Sequence, residues 1–263
     1  MNVVLEGDII PRLMLAHLVD STPWPDTGLV ASIDKESSDI CAQDSERFAS
    51  LPLRLEAPGL LEEVDRFLAE GVSVEEVYLD LLAPAARHLG ELWNRDECDF
   101  IDVTMGLWRL QEVMREVSMR APPRGPRGGQ RRSALFCPVP GDVHSFGAQM
   151  IEEIFARAGW QSEALLQPKR RELLDYLSRR PLDLVGLTIS RDCAPAAIAS
   201  LIKAMRSVAI NPNLVVLIGG QVVNQQPGLV DEVGADGTGK DAQAALDTAD
   251  RLLVKAPRGA YTY

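Results

Sequence analysis

SALFCPVPGDVHSFG, residues 133–147, decides the fold. Seven apolar or small residues (133–139) make a run short enough for a strand and too continuous for a surface one. Such runs belong to parallel strands covered on both faces. Pro140 and Gly141 end it. A helical pattern then starts at about residue 145. Working outward from this first strand–turn–helix, the same alternation repeats. Strand-like runs occur at 161–166, 182–188 and 213–218, with a weaker one at 235–238. Helical patterns follow at about 145–158, 169–179, 194–208, 227–233 and 240–254. Strands alternating with helices predict a flavodoxin-like (Rossmann-like) sheet of five parallel strands with helices on both faces, over 133–263.

Immediately upstream, APPRGPRGGQRR (121–132) holds three prolines, three glycines and four arginines. No helix or strand interior tolerates that composition, so it reads as a basic linker. Before it, 59–120 reads as a small helical bundle. Leu60, Leu61, Val64, Phe67 and Leu68 recur at helical spacing. Ser73 and Glu76 form a capping-box pattern that opens a helix through about Leu89, near Gly90. Val103, Leu107, Leu110, Met114 and Val117 stripe a last helix at about 100–119. Residues 1–58 read as an extension: a short helix over 8–19, then a Ser-, Asp- and Pro-rich connector without sustained period. The expected class is therefore α + α/β, a helical cap at 59–120 followed by the sheet domain.

The chain has 263 residues and a net charge of −11. Residues 56–120 hold 15 acids and 6 bases, whereas 133–263 hold 14 and 13. The acidity therefore sits on the helical part and argues for a protein partner with a basic surface, not for direct nucleic-acid binding. No apolar run is long enough to span a membrane, and no signal pattern opens the chain; a cytoplasmic protein is expected. Cys41, Cys98, Cys137 and Cys193 form no CxxC pair, and buried thiols are the expectation. Only three histidines are present. Of these, His88 is expected on the solvated side of its helix and His17 on the apolar stripe of the N-terminal one.

Asp142 and His144, two apart in the first strand–helix loop, suit a carboxylate that orients a metal-ligating imidazole. Forty residues separate Gly147 from Thr188-Ile189-Ser190, and 28 separate Ser190 from Gly219-Gly220. This pattern resembles the cobalamin-binding signature of the methionine-synthase type, Asp-x-His-x-x-Gly, Ser-x-Leu, Gly-Gly. The resemblance implies cobalamin held with its own base displaced and His144 as lower cobalt ligand. Asp142 would support that histidine, and the segment Val143, Ser145, Phe146 and Gly147 would contact the cofactor. Thr188 and Ser190 stand where the family has Ser-x-Leu, so either hydroxyl can take the displaced base. Gly219 and Gly220 would leave room for the nucleotide tail. LGELW (89–93) resembles the helical cap over the corrin, with Trp93 on its upper face. The CarH-type photoreceptors carry Glu-His ten and eleven residues after this tryptophan; here those positions are Val103 and Thr104.

GDIIPRLMLAH near the start, the cap without Glu-His and GADGTGKDA near the end resemble the AerR/PpaA antirepressors of purple photosynthetic bacteria. That resemblance implies a light- and cobalamin-responsive regulator acting through a CrtJ/PpsR-type repressor of photosynthesis genes. The cobalamin could be the hydroxo-, methyl- or adenosyl form, and His17 would be a possible upper ligand. No catalytic triad is visible, and no enzyme is expected; the alternative is a corrinoid carrier subunit of a methyltransferase system.

Overall fold

The structure, a computed structural model, describes residues 40–123, 132–190 and 193–255. His17, the helix expected over 8–19 and linker residues 124–131 lie outside them. The cap begins earlier than its sequence pattern. Helix α1 (Ala42–Ala49) and a 3-10 turn (Leu51–Leu53) fall where a connector was expected. Eight mostly polar residues show no period, yet Phe48 and Ala49 at their end are buried in the cap core.

Helix α2 (Ala57–Ala69) has a proline in its first turn, where a missing N–H costs nothing, and buries Leu60, Val64 and Phe67. Helix α3 occupies 74–94. Ser73 Oγ accepts from Glu76 N–H, and the Glu76 carboxylate accepts from Ser73 N–H at 2.6 Å, closing the expected box. The helix runs through Gly90 to Asn94 instead of ending near Leu89. Its second segment, Val77–Leu82, is π-helical. Pro84 accounts for this: it lacks an N–H and its ring crowds the carbonyl four residues back, so the preceding turn widens. Helix α4 (Phe100–Arg120) is capped by Asp99, whose carboxylate accepts from Ile101 and Asp102 N–H, each at 2.8 Å. Gly106 lets α4 close on α3; a Cβ there would stand 2.8 Å from Leu89.

The α/β part contains β1 (Ser133–Pro138), α5 (Phe146–Arg157), β2 (Gln161–Ala164), α6 (Arg170–Leu177), β3 (Leu184–Thr188), α7 (Pro195–Val208) and β4 (Val215–Gly219). Short helices α8 (Gln221–Gln225) and α9 (Leu229–Val233) and the longer α10 (Ala242–Lys255) follow. The strands are parallel in the order β2-β1-β3-β4. Among the described residues the sheet has four strands, not five. The expected fifth survives as one parallel bridge, Leu217 to Gly237. Asp236 explains the loss: its carboxylate accepts the Val216 N–H at 2.7 Å, a role that a ladder gives to a main-chain carbonyl.

Period-two alternation places Leu135 and Cys137 with α6, α7 and α9 on one face. Ala134 and Phe136 pack with α5 and α10 on the other. Burial pushes the Cys137 thiol up to about 12, leaving it inert. Cys41, by contrast, is exposed, and Cys98 and Cys193 are half-buried, so the expectation of buried thiols holds for Cys137 alone. Helix α5 faces two ways. Ala148 and Phe155 pack on the sheet, while Met150 and Ile154, joined by Phe146, enter the cap core. Cap and sheet therefore share one helix.

Candidate functional site

In a sheet of order 2-1-3-4 the strand order reverses between β1 and β3, and the crevice beyond their carboxyl ends is the place for a ligand. Register puts Pro138, Thr188 and Gly219 side by side there, the last residues of β1, β3 and β4. The three stretches singled out in the sequence thus meet at one sheet edge. Val139 N–H donates to Thr188 O at 3.0 Å and Ile189 N–H to Gly219 O at 2.8 Å, carrying the alignment past the strand ends.

Asp142 organises this edge. Its side chain is fully buried. Oδ1 accepts from His144 N–H at 3.0 Å and from His144 Nδ1 at 2.6 Å, and Oδ2 accepts from Ser190 N–H at 3.1 Å. Burial works to raise this carboxyl, but the hydrogen bonds from His144 and Ser190 outweigh it and hold Asp142 below the usual aspartate range. The ionised carboxylate can only accept, so the proton lies on Nδ1. Nε2 is then the lone-pair nitrogen, and the His144 side chain is 57% exposed, the state required of a metal ligand.

Two further observations suit a large polar–apolar ligand. The Thr188 hydroxyl is buried and has no hydrogen-bond partner, an energetic cost that a ligand group could relieve. The Thr238 hydroxyl is in the same condition. Gly147 and Gly219 border open space: a Cβ would meet nothing within 4 Å at Gly147, and only Gly239 O at 3.8 Å at Gly219. Gly220 has a different task. Its φ is +109°, and a Cβ would lie 2.5 Å from Ile189 O, so it allows the β3 and β4 loops to touch.

The cap meets the sheet domain along α5. Arg157, closing α5, donates to the carbonyl of Ala121 just beyond α4 at 2.7 Å. Phe146, opening α5, packs in the same core as Leu107. The first turns of α4 carry Phe100 (70% exposed), Ile101 and Met105. Trp93, 47% exposed, meets Phe100 edge-on with ring centroids 6.5 Å apart. Val143 on the loop is exposed too, whereas Ser145 and Phe146 are half-buried. His88 is half-buried within the cap, not solvated as expected.

Sequence reasoning therefore placed Asp142, His144 and Thr188 at one edge, and Trp93 on the cap. Ser190 reaches the site through its N–H. Thr238 was missed as a site residue, although the Gly237-Thr238-Gly239 turn carried a signal. The residues present fit a corrinoid: one exposed imidazole with a buried orienting carboxylate, unpartnered hydroxyls at the strand ends, open glycines and exposed apolar side chains on the cap.

A helical cap over a parallel sheet with this loop defines a corrinoid-binding protein. Sequence comparison agrees: residues 132–247 match the B12 binding domain family and residues 45–118 a second family of the same description. Cobalamin is the chain's cofactor. The chain is 26% identical over 172 residues to an uncharacterised 20.5 kDa protein of the bchF-crtJ intergenic region in Rhodobacter capsulatus, covering 65% of this chain and 89% of that one. It is 22% identical over 169 residues to a corrinoid protein of Desulfitobacterium hafniense, covering 64% and 77%. Among solved structures, the monomethylamine corrinoid protein of Methanosarcina barkeri shares the fold with a TM-score of 0.65 at 16% identity, over 79% of this chain and 96% of that one.

Proposed function

We propose that this protein is a cytoplasmic, light- and cobalamin-responsive regulator that acts through a CrtJ/PpsR-type repressor of photosynthesis genes, without contacting DNA itself. The observation that carries this reading is the relative whose gene lies between bchF and crtJ. The acidic cap, with 15 acids against 6 bases over 56–120, suits a basic protein partner.

In this reading His144 Nε2 would hold the cobalt, and Asp142 would fix the ring. Thr188, Thr238 and the Ser190 turn would line the slot for the nucleotide tail, while Trp93, Phe100 and Ile101 would cover the corrin. Bound cobalamin would supply the light-sensitive chemistry. The chain's own part is to present two arrangements of the surfaces beside the corrin, with different affinity for the repressor. His17 is the proposed upper ligand in one of them.

The second reading is a corrinoid carrier of a methyltransferase system, favoured by the corrinoid proteins among the relatives and structural neighbours. One pair of assays separates them. Reconstituted protein is passed with repressor over a sizing column, dark and illuminated; a light-dependent complex is expected. Transfer of a methyl group to a thiol acceptor by a partner methyltransferase, with no complex in either condition, would establish the carrier instead.

A further inference from the structure

The stripe of α5 that enters the cap is apolar for three contacts (Phe146, Met150 and Ile154) and then ends on Arg157. An apolar residue would continue it at less cost. Yet the Arg157 side chain is only 7% exposed, and its Nε is buried without a partner. Nη2 donates to Ala121 O at 2.7 Å and to the Glu153 carboxylate at 2.9 Å. The guanidinium carbon stands 5.4 Å from the centre of the Tyr78 ring. Tyr78 is itself fully buried and donates to Met114 O at 3.1 Å. One side chain from the sheet domain thus grips α3 and the end of α4. A buried guanidinium with incomplete hydrogen bonding adds little stability; what a fork of fixed donors adds is geometry.

We propose that Arg157 is a positioning residue for the cofactor site: it ties α3 and the end of α4 to the end of α5, the helix that begins two residues after His144, and so sets how the cap residues Trp93 and Phe100 sit relative to that ligand. The proposal rests on His144 being the cobalt ligand. Arg157 lies about 18 Å along α5 from that ligand and touches no part of the site. It acts through leverage. α4 reaches about 30 Å from the anchor to Phe100, so a rotation of about 5° there moves Phe100 by about 2.5 Å. Such a shift opens the upper face and leaves the lower ligand in place.

The test uses full-length protein loaded with hydroxocobalamin. Visible spectra report the lower ligand, and the rate at which added cyanide replaces the upper ligand reports how closely the cap residues sit. Arg157→Met, which leaves the Glu153 carboxylate without its partner, is expected to melt lower and keep the wild-type loaded spectrum, but to exchange about tenfold faster, equivalent to about 1.4 kcal/mol of closure. Arg157→Lys is expected to fall between. Tyr78→Phe keeps the ring beneath the guanidinium and loses only the bond to Met114, so it is expected to melt lower but exchange as wild type. Should Arg157→Met fail to fold, Arg157→Lys and Tyr78→Leu carry the same expectation of faster exchange. Unchanged exchange in the Arg157 variants, or exchange that follows melting temperature across the series including Tyr78→Phe, overturns the proposal. A His144→Ala protein with the wild-type loaded spectrum overturns instead the site reading beneath it.

Discussion

Replacing Asp142 by asparagine probes the site with almost no change of shape. Oδ1 of the buried carboxylate serves His144 twice, at its N–H and at Nδ1, and Oδ2 serves Ser190 N–H. Asparagine has one oxygen and one NH2. If its oxygen faces His144, the NH2 points at the Ser190 N–H. If it is flipped, the NH2 points at both His144 donors. Either way buried donors confront each other. The first arrangement loses one hydrogen bond and is the better, with an expected cost of about 1–3 kcal/mol to the unliganded fold. The imidazole also loses its anionic partner, so cobalamin affinity should fall a further 10–100-fold or so, about 1.4–2.7 kcal/mol. Thermal melts of the unliganded protein read the first quantity. Titration with hydroxocobalamin, followed in the visible range, reads the second. An Asp142→Asn protein that melts and binds like wild type would refute the claim that this carboxylate organises the site.

Other substitutions separate ligand contacts from folding. His144→Ala removes a hydrogen bond to the buried Asp142 carboxylate and should be less stable by about 1–3 kcal/mol in thermal melts, and it should lose tight binding and the His-on spectrum. Thr188→Val removes a buried hydroxyl without a partner, so the unliganded protein should gain stability while cobalamin binding weakens, seen by melting and titration together. Gly220→Ala should destabilise by more than about 2 kcal/mol in denaturant titrations, since φ is +109° and the new Cβ meets Ile189 O. Burial, with Glu153 and Glu163 nearby, raises the Glu152 carboxyl, although Ser162 hydrogen-bonds to it. An acid raised in the folded state costs no stability below its unfolded value and costs progressively more as pH rises through the folded one. Glu152→Gln should therefore melt slightly higher at pH 7, with the difference vanishing near pH 4.

What the sequence revealed depended on where the information resides. Asp142 and His144 were legible because a side chain meets a side chain two residues away. The Ser190 N–H also bonds to Asp142, a contact that could not be read, because main-chain groups leave no trace in residue type. α1 escaped notice because only Phe48 and Ala49 of its eight residues are buried, too few to show a period. The fifth strand was overread because the residue types at 235–238 do not reveal that Asp236 substitutes its carboxylate for a carbonyl. The hold of the cap on α5 depends on the Arg157–Ala121 contact across the linker, which local pattern does not encode.

Helix α5 has one consequence for how such a protein can be taken apart and rebuilt. By sequence it belongs to the sheet domain; by packing it is also part of the cap, through Phe146, Met150 and Ile154. The linker is therefore not the seam at which the two modules part. A chimera that grafts a foreign cap at residues 121–132 inherits an α5 face cut for the old one, and a cap expressed alone exposes the hollow where that face sat. The transplantable piece is 40–123 together with the cap-facing residues of 146–157. Those residues lie beside the His144 loop, so any exchange of caps among related proteins carries with it the helix that begins at the ligand.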